Sequence, residues 1–433
     1  MKTVAFYTLG CKVNQYETEA MGELFNAAGY LTVDSEENAN VYVINTCTVT
    51  NIGDRKSRQF VRKAKKINPE AIIAVVGCYS QTAPEEVMAI EGVNIVLGTN
   101  ERNKIVEYVE KIQKENSKIN AVKDIMEISE FEALTIGDIL GKTRAFLKIQ
   151  EGCNQYCTYC IIPYARGNIR SRKIHDIKAE VERLVQNNFK EIVLTGIHVA
   201  SYGKDIGDIC LLDVIDSVHD VKGIERIRLS SIEPTIMTDE FIDRLSQYKK
   251  VCPHFHLSLQ SGCDTTLKRM NRKYTTKDYK AIVDAIRSRI PEVSLTTDIM
   301  VGFPGETEDE FLATREFIKT IQFSQIHVFK YSPRKGTPAA SYENQVPSQV
   351  KNKRSEELIE LSKKIMINHL EKFLNHTKEV LFETEIKDKG LYEGLTDNYI
   401  RVLCHSSDNI KGKLLPVVLT ELEGDDSIKG HLV

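Results

Sequence analysis

The chain has 433 residues, of which 42% are hydrophobic and 27% charged, and its formal net charge is −3. This length predicts two or three domains. A membrane-spanning helix needs an apolar run of about 18 residues or more, and no run in this chain is that long, so we expect no transmembrane helix and no membrane partner. The near-neutral charge excludes a globally basic nucleic-acid-binding protein, so any RNA-binding surface must be local. The apolar start is too short for a signal peptide, and we expect a cytoplasmic protein whose ten cysteines favour metal or redox roles.

Residues 1–114 alternate strand and helix patterns and form the first predicted domain. Buried parallel strands are predicted at 3–9, 41–44, 72–76 and 93–97. Helical patterns lie between them, and this alternation predicts a doubly wound α/β fold.

Three cysteines follow successive predicted strands of this domain at their carboxyl ends. Cys11 follows the first strand, Cys47 the second and Cys78 the third. Ligands bind at this edge of open α/β sheets, so neighbouring parallel strands would bring the three thiols together. A buried apolar role is the common fate of a single cysteine and remains the alternative. Their shared position favours a second three-cysteine cluster.

A mixed linker at 115–142 precedes the second predicted domain, residues 143–349. Its strands are predicted at 145–149, 192–195, 227–230, 255–259, 293–299 and 326–330. Six strand–helix units predict a partial (β/α)6 barrel, whose chemistry is expected at the carboxyl ends of the strands.

The loop after the first barrel strand carries Cys153, Cys157 and Cys160 at C-x3-C-x2-C spacing, with no fourth ligand nearby. Structural zinc and most iron–sulfur clusters take four protein ligands. Three thiolates therefore predict a cubane cluster whose open iron binds a small molecule and passes it an electron. Zinc with a distant fourth ligand is the less expected alternative. The spacing resembles that of the radical S-adenosylmethionine (SAM) superfamily, whose fold is the partial barrel.

Distinctive motifs end the later barrel strands. Five of their residues are candidates for binding SAM: Gly196, Glu233, Gln260, Gly302 and Gly305. Glycine lets backbone groups approach a ligand closely, so we expect Gly196 to expose a carbonyl to the SAM amino group and Glu233 to bind ribose hydroxyls. Each glycine alone is equally typical of a strand-to-helix turn, and Glu233 alone of a surface carboxylate. All five residues are expected on the same rim of the predicted barrel, at the carboxyl ends of its strands, and this shared position favours a role in ligand binding.

The remaining chain is predicted to form a connecting helix at 350–374 and a small β-barrel at 375–433. From residue 371 onward it carries eight Lys plus Arg and twelve Asp plus Glu, a net charge of −4. Such a module is poorly suited to phosphates and better suited to a basic protein partner, unless its basic residues gather on one face.

Basic residues cluster at two other places. The first group is Arg55, Arg58, Arg62 and Lys65 or Lys66, at the spacing of a solvated helix face. The second group is Arg166, Arg170, Arg172 and Lys173, directly after the cysteine loop. We predict that the second group touches an RNA backbone, because it follows the presumed reaction centre.

The sequence motifs around these residues resemble those of the methylthiotransferase family, and the resemblance covers essentially the whole chain. In the first domain they are TLGCKVN at 8–14, NTCTVT at 45–50 and VGCYSQ at 76–81. In the barrel they are CIIPYARG at 160–167, LSLQSG at 257–262 and VGFPGET at 301–307. The word GLTDNY at 394–399 resembles the TRAM domain, an RNA-binding module.

The resemblance implies an enzyme that uses SAM and two [4Fe–4S] clusters. Cys153, Cys157 and Cys160 would hold the cluster that reduces SAM, and Cys11, Cys47 and Cys78 an auxiliary cluster that presents sulfur. The implied reaction adds a methylthio group to C2 of N6-threonylcarbamoyladenosine beside the anticodon of tRNA. The implied partners are the tRNA anticodon loop, SAM, a reducing protein such as flavodoxin or ferredoxin, and a sulfur donor.

The implied substrate carries a carboxylate, which is costly to bury unpaired. Lys12, next to Cys11, and Arg166 are the candidates to pair it, with Arg166 preferred for its bidentate fork. Three alternatives stay open: isopentenyladenosine in tRNA, an aspartate of a ribosomal protein, and a two-cluster electron-transfer protein without a substrate. The acidic terminal domain favours the second, and the open irons and glycine motifs argue against the third.

Overall fold

The computed structural model describes residues 2–48, 51–115, 117–135, 143–386 and 390–433, with only the backbone of residues 51, 52 and 54. Residues 116 and 136–142 of the predicted linker lie outside the described residues. Of the helices that are described, none combines the length and the apolar character of a membrane span.

The first domain is a six-stranded parallel sheet with helices on both faces. Its strands are β1 Lys2–Thr8, β2 Tyr30–Val33, β3 Val41–Thr46, β4 Ile72–Gly77, β5 Ile95–Val96 and β6 Ile119–Asn120. Its helices are α1 Lys12–Ala27, α2 Asn51–Ile67, α3 Cys78–Thr82, α4 Pro84–Met88 and α5 Ile105–Glu115. The strand order β2-β1-β3-β4-β5-β6 reverses the direction of winding between β1 and β3, and two apolar cores flank the sheet. The doubly wound prediction is confirmed; β2 and the short edge strand β6 were not predicted.

The second domain contains six parallel strands in the order β7, β9, β10, β11, β12 and β13. The strands, with the short antiparallel β8, are β7 Arg144–Glu151, β8 Arg170–Ser171, β9 Glu191–Gly196, β10 Arg226–Leu229, β11 His254–His256, β12 Ser294–Val301 and β13 Gln325–Lys330. Two sheets share them, and parallel bridges join Ile227 to Val251 and Ile232 to Leu257 across the gap. The predicted partial (β/α)6 barrel is confirmed.

Helices pack outside this barrel and bury its outward side chains in the largest apolar core. They are α6 Ile162–Arg166, α7 Ile174–Gln186, α8 Leu211–His219, α9 Asp239–Leu245, α10 Asp264–Arg269, α11 Thr276–Arg289, α12 Glu308–Ile321 and α13 Ser348–Glu371. Tyr16 and Ala20 of α1 belong to the same core, so the first domain packs directly on the barrel.

The chain ends in a closed five-stranded barrel, as predicted. Its strands are β14 Thr377–Ile386, β15 Leu391–Thr396, β16 Arg401–His405, β17 Leu414–Glu423 and β18 Ser427–Leu432. Arg226 donates to the carbonyls of Leu395 and Glu379 at 3.0 and 2.7 Å, and Tyr399 stacks on His254 with ring centroids 4.4 Å apart. These contacts hold the terminal domain against the amino-terminal ends of the barrel strands.

Candidate active site

The first group of cysteines lies at the carboxyl ends of three adjacent strands. Cys11 precedes α1, Cys47 follows β3, and Cys78 begins α3. The strands β1, β3 and β4 are neighbours, with Thr8 beside Asn45 in register. The winding direction reverses between β1 and β3, and a ligand-binding crevice forms at such a point. The three cysteines therefore share one edge of the sheet, beside this crevice.

Close packing places Cys47 beside Gly10, the residue that directly precedes Cys11. A Cβ on Gly10, whose φ is +110°, would lie 2.9 Å from the Cβ of Cys47, so only glycine fits. Burial raises the pKa of Cys78 to about 12; Arg166 opposes this rise, and the thiols of Cys47 and Cys11 add to it. The Nε of Arg166 donates to the Sγ of Cys78 at 3.1 Å. Arg166 therefore compensates part of the cost of a buried thiolate at Cys78. Metal binding would supply the remaining stabilisation that deprotonation of this thiol requires.

The second group lies on the loop that follows β7. The N–H of Cys153 donates to the carbonyl of Gly167 at 3.0 Å, and the N–H of Thr158 donates to Met270 at 3.2 Å. Burial raises the pKa of Cys153 to about 11 and that of Cys160 to about 12. The loop is therefore fixed at both ends and keeps its thiols away from water.

Each group supplies three thiolates, the donor type that holds iron–sulfur clusters. Among the described residues, no three His, Cys, Asp or Glu side chains are arranged to hold one metal ion. Each thiolate of a cubane cluster binds a different iron, so its ligands need not converge on one point. All ten cysteines are described and none forms a disulfide, which leaves both groups available as thiolates.

A conformational constraint on this loop gives the first testable prediction. Gly152 has φ of +73°, and a Cβ there would lie 1.8 Å from the carbonyl oxygen of Asn168. We expect Gly152→Ala to displace the loop, so that the protein loses about half of its iron and its SAM cleavage. Gly29→Ala is the control: its φ is +81° but no atom lies within 4 Å, so only a backbone cost of about 1–2 kcal/mol applies. Full iron in Gly152→Ala, measured after anaerobic reconstitution, would contradict the prediction.

Arg272, which the sequence analysis missed, connects this loop to the rim. Its Nη1 donates to the Sγ of Cys157 at 3.3 Å and its Nη2 lies 2.7 Å from Glu233. Burial would raise the pKa of Glu233, but His198 and Arg272 lower it overall, so this carboxylate is ionised. The only sequence signal was a basic pair in the loop after α10, and that signal does not reveal a partner 115 residues away.

The other predicted SAM contacts lie at the carboxyl ends of the barrel strands. Gly196 packs closely on Gln150, whose carbonyl would be 2.9 Å from a Cβ. Gln260 has φ of +71° and pairs with β12 through Met300 and Asp298. These placements are compatible with ligand contact, and the roles stay predictions.

The two remaining glycines use their N–H groups internally. Gly302 donates to the carboxylate of Glu306 at 2.6 Å, and Gly305 donates to the carbonyl of Asn344 at 2.9 Å. A ligand would therefore meet only their carbonyl groups.

Arg166 lies at the centre of a buried charge cluster between the two domains. Its Nη1 is 2.5 Å from Glu17 and 2.9 Å from Glu151, and its side chain is fully buried. Arg102 and Lys148 pair with the same two carboxylates. Burial would raise the pKa of Glu17, but the charges of Arg102, Arg166 and Lys148 hold it below its ordinary range.

The prediction of RNA contact after the cysteine loop is wrong for the three arginines, which are buried, whereas Lys173 is exposed. Arg166 is 0%, Arg170 2% and Arg172 3% exposed, so none presents its charge to a phosphate backbone. Arg170 donates to the carbonyl of Arg166 at 2.9 Å, and Arg172 pairs with Glu180. The reason is that Arg170 lies on β8, which pairs with β7, and that Arg166 ends α6 against Glu17 of the first domain. Arg166 is equally unavailable to a substrate carboxylate, because Glu17 and Glu151 occupy its fork.

Lys12 differs from the buried arginines, because it is exposed to solvent. Nearby protein atoms nevertheless desolvate its ammonium group in part. Burial lowers its pKa, with Tyr399 opposing and Arg144 adding to the effect. Its Nζ lies 5.9 Å from the centroid of the Phe146 ring on β7. The side chain therefore extends from the first group of cysteines towards the barrel interior.

Comparison with known proteins agrees with this arrangement. Residues 147–318 match the Radical SAM superfamily, and residues 3–98 match the uncharacterized protein family UPF0004. The chain is 47% identical to the threonylcarbamoyladenosine tRNA methylthiotransferase MtaB of Bacillus subtilis, over 96% of this chain and 93% of that protein. It is 37% identical to a tRNA-2-methylthio-N(6)-dimethylallyladenosine synthase of Clostridium tetani, over 97% of this chain and 95% of that protein.

The fold is also found in a solved structure. The radical SAM methyltransferase TsrM from Kitasatospora setae, with cobalamin and a [4Fe–4S] cluster bound, aligns with a TM-score of 0.59 and 14% identity, over 78% of this chain and 77% of that chain. At this identity the likeness concerns the fold alone. The identity to the two curated relatives spans nearly the whole chain, and it confirms the prediction from the sequence motifs. The chain therefore belongs to the radical SAM methylthiotransferase family.

Proposed function

We propose that this protein is a tRNA-modifying enzyme that adds a methylthio group to C2 of N6-threonylcarbamoyladenosine beside the anticodon. The observation that carries the proposal is the 47% identity to the Bacillus subtilis enzyme of that name over 96% of this chain. The position of both cysteine groups supports it, since they lie at the carboxyl ends of strands in two domains that pack directly on each other.

The enzyme uses SAM and two [4Fe–4S] clusters. The residues proposed to hold them are Cys153, Cys157 and Cys160 on the barrel and Cys11, Cys47 and Cys78 on the first domain. These cofactors supply the electron, the hydrogen abstraction and the sulfur that acid–base side chains do not provide at an inert adenine C–H.

The chain's own residues position these groups. Arg272 holds Cys157 and Glu233 in one arrangement, so that a carboxylate ready to accept ribose hydroxyls lies beside the cysteine loop. Tyr274 donates to the carbonyls of Ser258 and Leu259 at 2.6 and 2.7 Å and fixes the neighbouring rim. Arg166 fixes Cys78 relative to the barrel through Glu151. Polar contacts thus order the surroundings of each cysteine group.

The surface proposed for RNA lies near both groups of cysteines. The exposed side chains of Arg55, Arg62 and Lys66 lie on α2, the helix that follows Cys47. Tyr156 and Tyr164 are 40% and 43% exposed on and beside the cysteine loop, with ring centroids 5.9 Å apart. Cations contact phosphates and exposed rings stack on unpaired bases, which suits an anticodon loop. The terminal barrel is docked on the opposite end of the larger barrel, away from these groups.

Finer parts of the proposal are the partners and the location. A reducing protein such as flavodoxin or ferredoxin and a sulfur donor would complete the reaction, and the cytoplasm is where tRNA and both partners are expected. The electron-carrier alternative is set aside, because the relatives are enzymes. Dimethylallyladenosine is the second candidate substrate, because of the 37% identity to the Clostridium tetani enzyme.

The decisive measurement is mass spectrometry of tRNA nucleosides from cells with and without this protein. We expect 2-methylthio-N6-threonylcarbamoyladenosine to disappear in its absence, with the unmethylthiolated nucleoside accumulating, and to return when the gene is restored. A Cys153→Ala gene should not restore it. Loss of the dimethylallyl product instead would establish the second candidate, and unchanged tRNA with altered ribosomal protein mass would establish the ribosomal alternative.

A further inference from the structure

The interior of the larger barrel, called the barrel lumen below, has a polar wall on its β11–β13 side. Alternate residues of these strands, such as Phe255, Leu295 and Ile326, pack in the outer core against the helices. Successive side chains of a strand point to opposite faces, so the residues between them point into the lumen. On β11–β13 those residues are His256, Thr296, Asp298 and His327. Phe146 on β7 points into the lumen for the same reason, because its neighbours Ala145 and Leu147 pack in the outer core.

The polar side chains on this wall are arranged in one group. The Nε2 of His256 lies 3.3 Å from the carboxylate of Asp298, and its Nδ1 lies 3.0 Å from the hydroxyl of Thr296. His327 is in register with Asp298 and stacks on His256 with ring centroids 5.8 Å apart. The Asp298 side chain remains 29% exposed, so it can accept further hydrogen bonds from a ligand.

Lys12 supplies a cation to the same lumen from the first domain. Its Nζ is 5.9 Å from the Phe146 ring, and no carboxylate among the described residues lies within 4.0 Å of it. Glu191, an acid whose charge acts on Lys12, is already bound by Arg228 at 2.7 Å. Burial lowers the pKa of His327; Asp298 opposes this, and His256 and Lys12 add to it.

We propose that this wall binds the threonylcarbamoyl group of the substrate nucleoside. Lys12 pairs with its carboxylate, and the His256–Asp298 pair binds its hydroxyl. Because Lys12 directly follows Cys11, a side group held there keeps the base beside the first group of cysteines. A dimethylallyl group would leave the ammonium of Lys12 desolvated without a partner, which disfavours it. This inference rests on the proposed function and extends it to the substrate contacts.

The test uses anticodon stem-loop RNAs that differ only in the side group. One carries threonylcarbamoyladenosine, one its methyl ester, which has no charge, and one the glycylcarbamoyl analogue, which has no hydroxyl. The kcat/KM of methylthiolation is measured on each with wild type, Lys12→Met, Lys12→Arg and Asp298→Asn. Iron content and SAM cleavage without RNA are measured in parallel.

We expect the wild type to prefer the acid over the ester by about tenfold or more, since a hydrogen bond to a charged group has that magnitude. Lys12→Met should lose this preference while keeping its iron, and Lys12→Arg should retain it. Asp298→Asn should keep the acid–ester preference and lose the preference for the threonyl over the glycyl group. Lys280→Met, at an exposed lysine of α11, is the matched control and should behave as wild type.

The outcomes separate this inference from the function on which it rests. A wild type that acts only on dimethylallyladenosine would overturn both. A wild type active on threonylcarbamoyladenosine, with Lys12→Met still preferring the acid to the ester, would overturn the lumen site and leave the function intact. If Lys12→Met loses iron, the Lys12→Arg and Asp298→Asn preferences decide, and an unchanged glycyl preference in Asp298→Asn overturns the role of that pair.

Discussion

Replacing Cys153, Cys157 and Cys160 together by alanine should abolish SAM cleavage and remove half of the iron. The reconstituted wild type is expected to hold about eight irons, about four for each cluster. Replacing Cys11, Cys47 and Cys78 should also remove half of the iron but leave SAM cleavage without methylthiolation. The reason is that the two groups lie on separate domains and each provides three thiolates of its own. Iron analysis and 5′-deoxyadenosine formation measure both effects.

Other cysteines provide the control for this experiment. Cys210 and Cys404 match no ligand pattern; Cys210 precedes α8, and Cys404 lies on β16 of the terminal barrel. Their replacement by alanine should leave iron and SAM cleavage at wild-type levels. If the Cys11, Cys47 and Cys78 variant kept all of its iron, the convergence of these thiols at the crevice would be refuted.

Arg166→Met should be the most destabilising single change in the interface between the two domains. It leaves Glu17 and Glu151 buried with fewer partners, and breaking a buried ion pair in this way costs about 3–5 kcal/mol. It also removes the N–H that Cys78 accepts. We expect a markedly lower thermal midpoint and a preferential loss of iron from the first domain.

The matched control is Arg315→Met on α12. Arg315 pairs with Glu316 and Glu357 at 3.3 and 3.6 Å, but these side chains are 35–58% exposed. An exposed pair contributes about 0–1 kcal/mol, so the midpoint should hardly change. Equal effects of the two substitutions would show that the buried cluster does not hold the domains together.

The sequence was sufficient for features that are local or that follow strand ends. Cys153, Cys157 and Cys160 lie within eight residues, so their grouping needs no tertiary information. The strand alternation predicted both α/β folds, and parallel strand ends predicted that Cys11, Cys47 and Cys78 would share an edge. The sequence analysis missed strands that are short or lie at the edge of a sheet, such as β6 and β8. These strands have only two residues each, which is too few to give a periodic hydrophobic signal.

Charge at a single position was a poor guide to role. Arg166, Arg170 and Arg172 have the composition of an RNA-binding segment, but all three are buried inside the protein. Arg166 meets Glu17, which is 149 residues away, and Arg272 meets Cys157 across 115 residues. Such pairs form because two packed domains exclude water and buried charges must find partners, which only the assembled chain specifies.

The sequence by itself therefore determined the family, the two cysteine groups and the order of the folds. The tertiary structure decided which cations are used internally and which remain available to a substrate. As sequence, Arg166 is the preferred candidate over Lys12, but Arg166 is surrounded by carboxylates, and Lys12 extends into a lumen with no described carboxylate in ion-pair range. The physical reason is that a charge is available for binding only if folding has left it without a counter-charge, and this depends on contacts between distant parts of the chain.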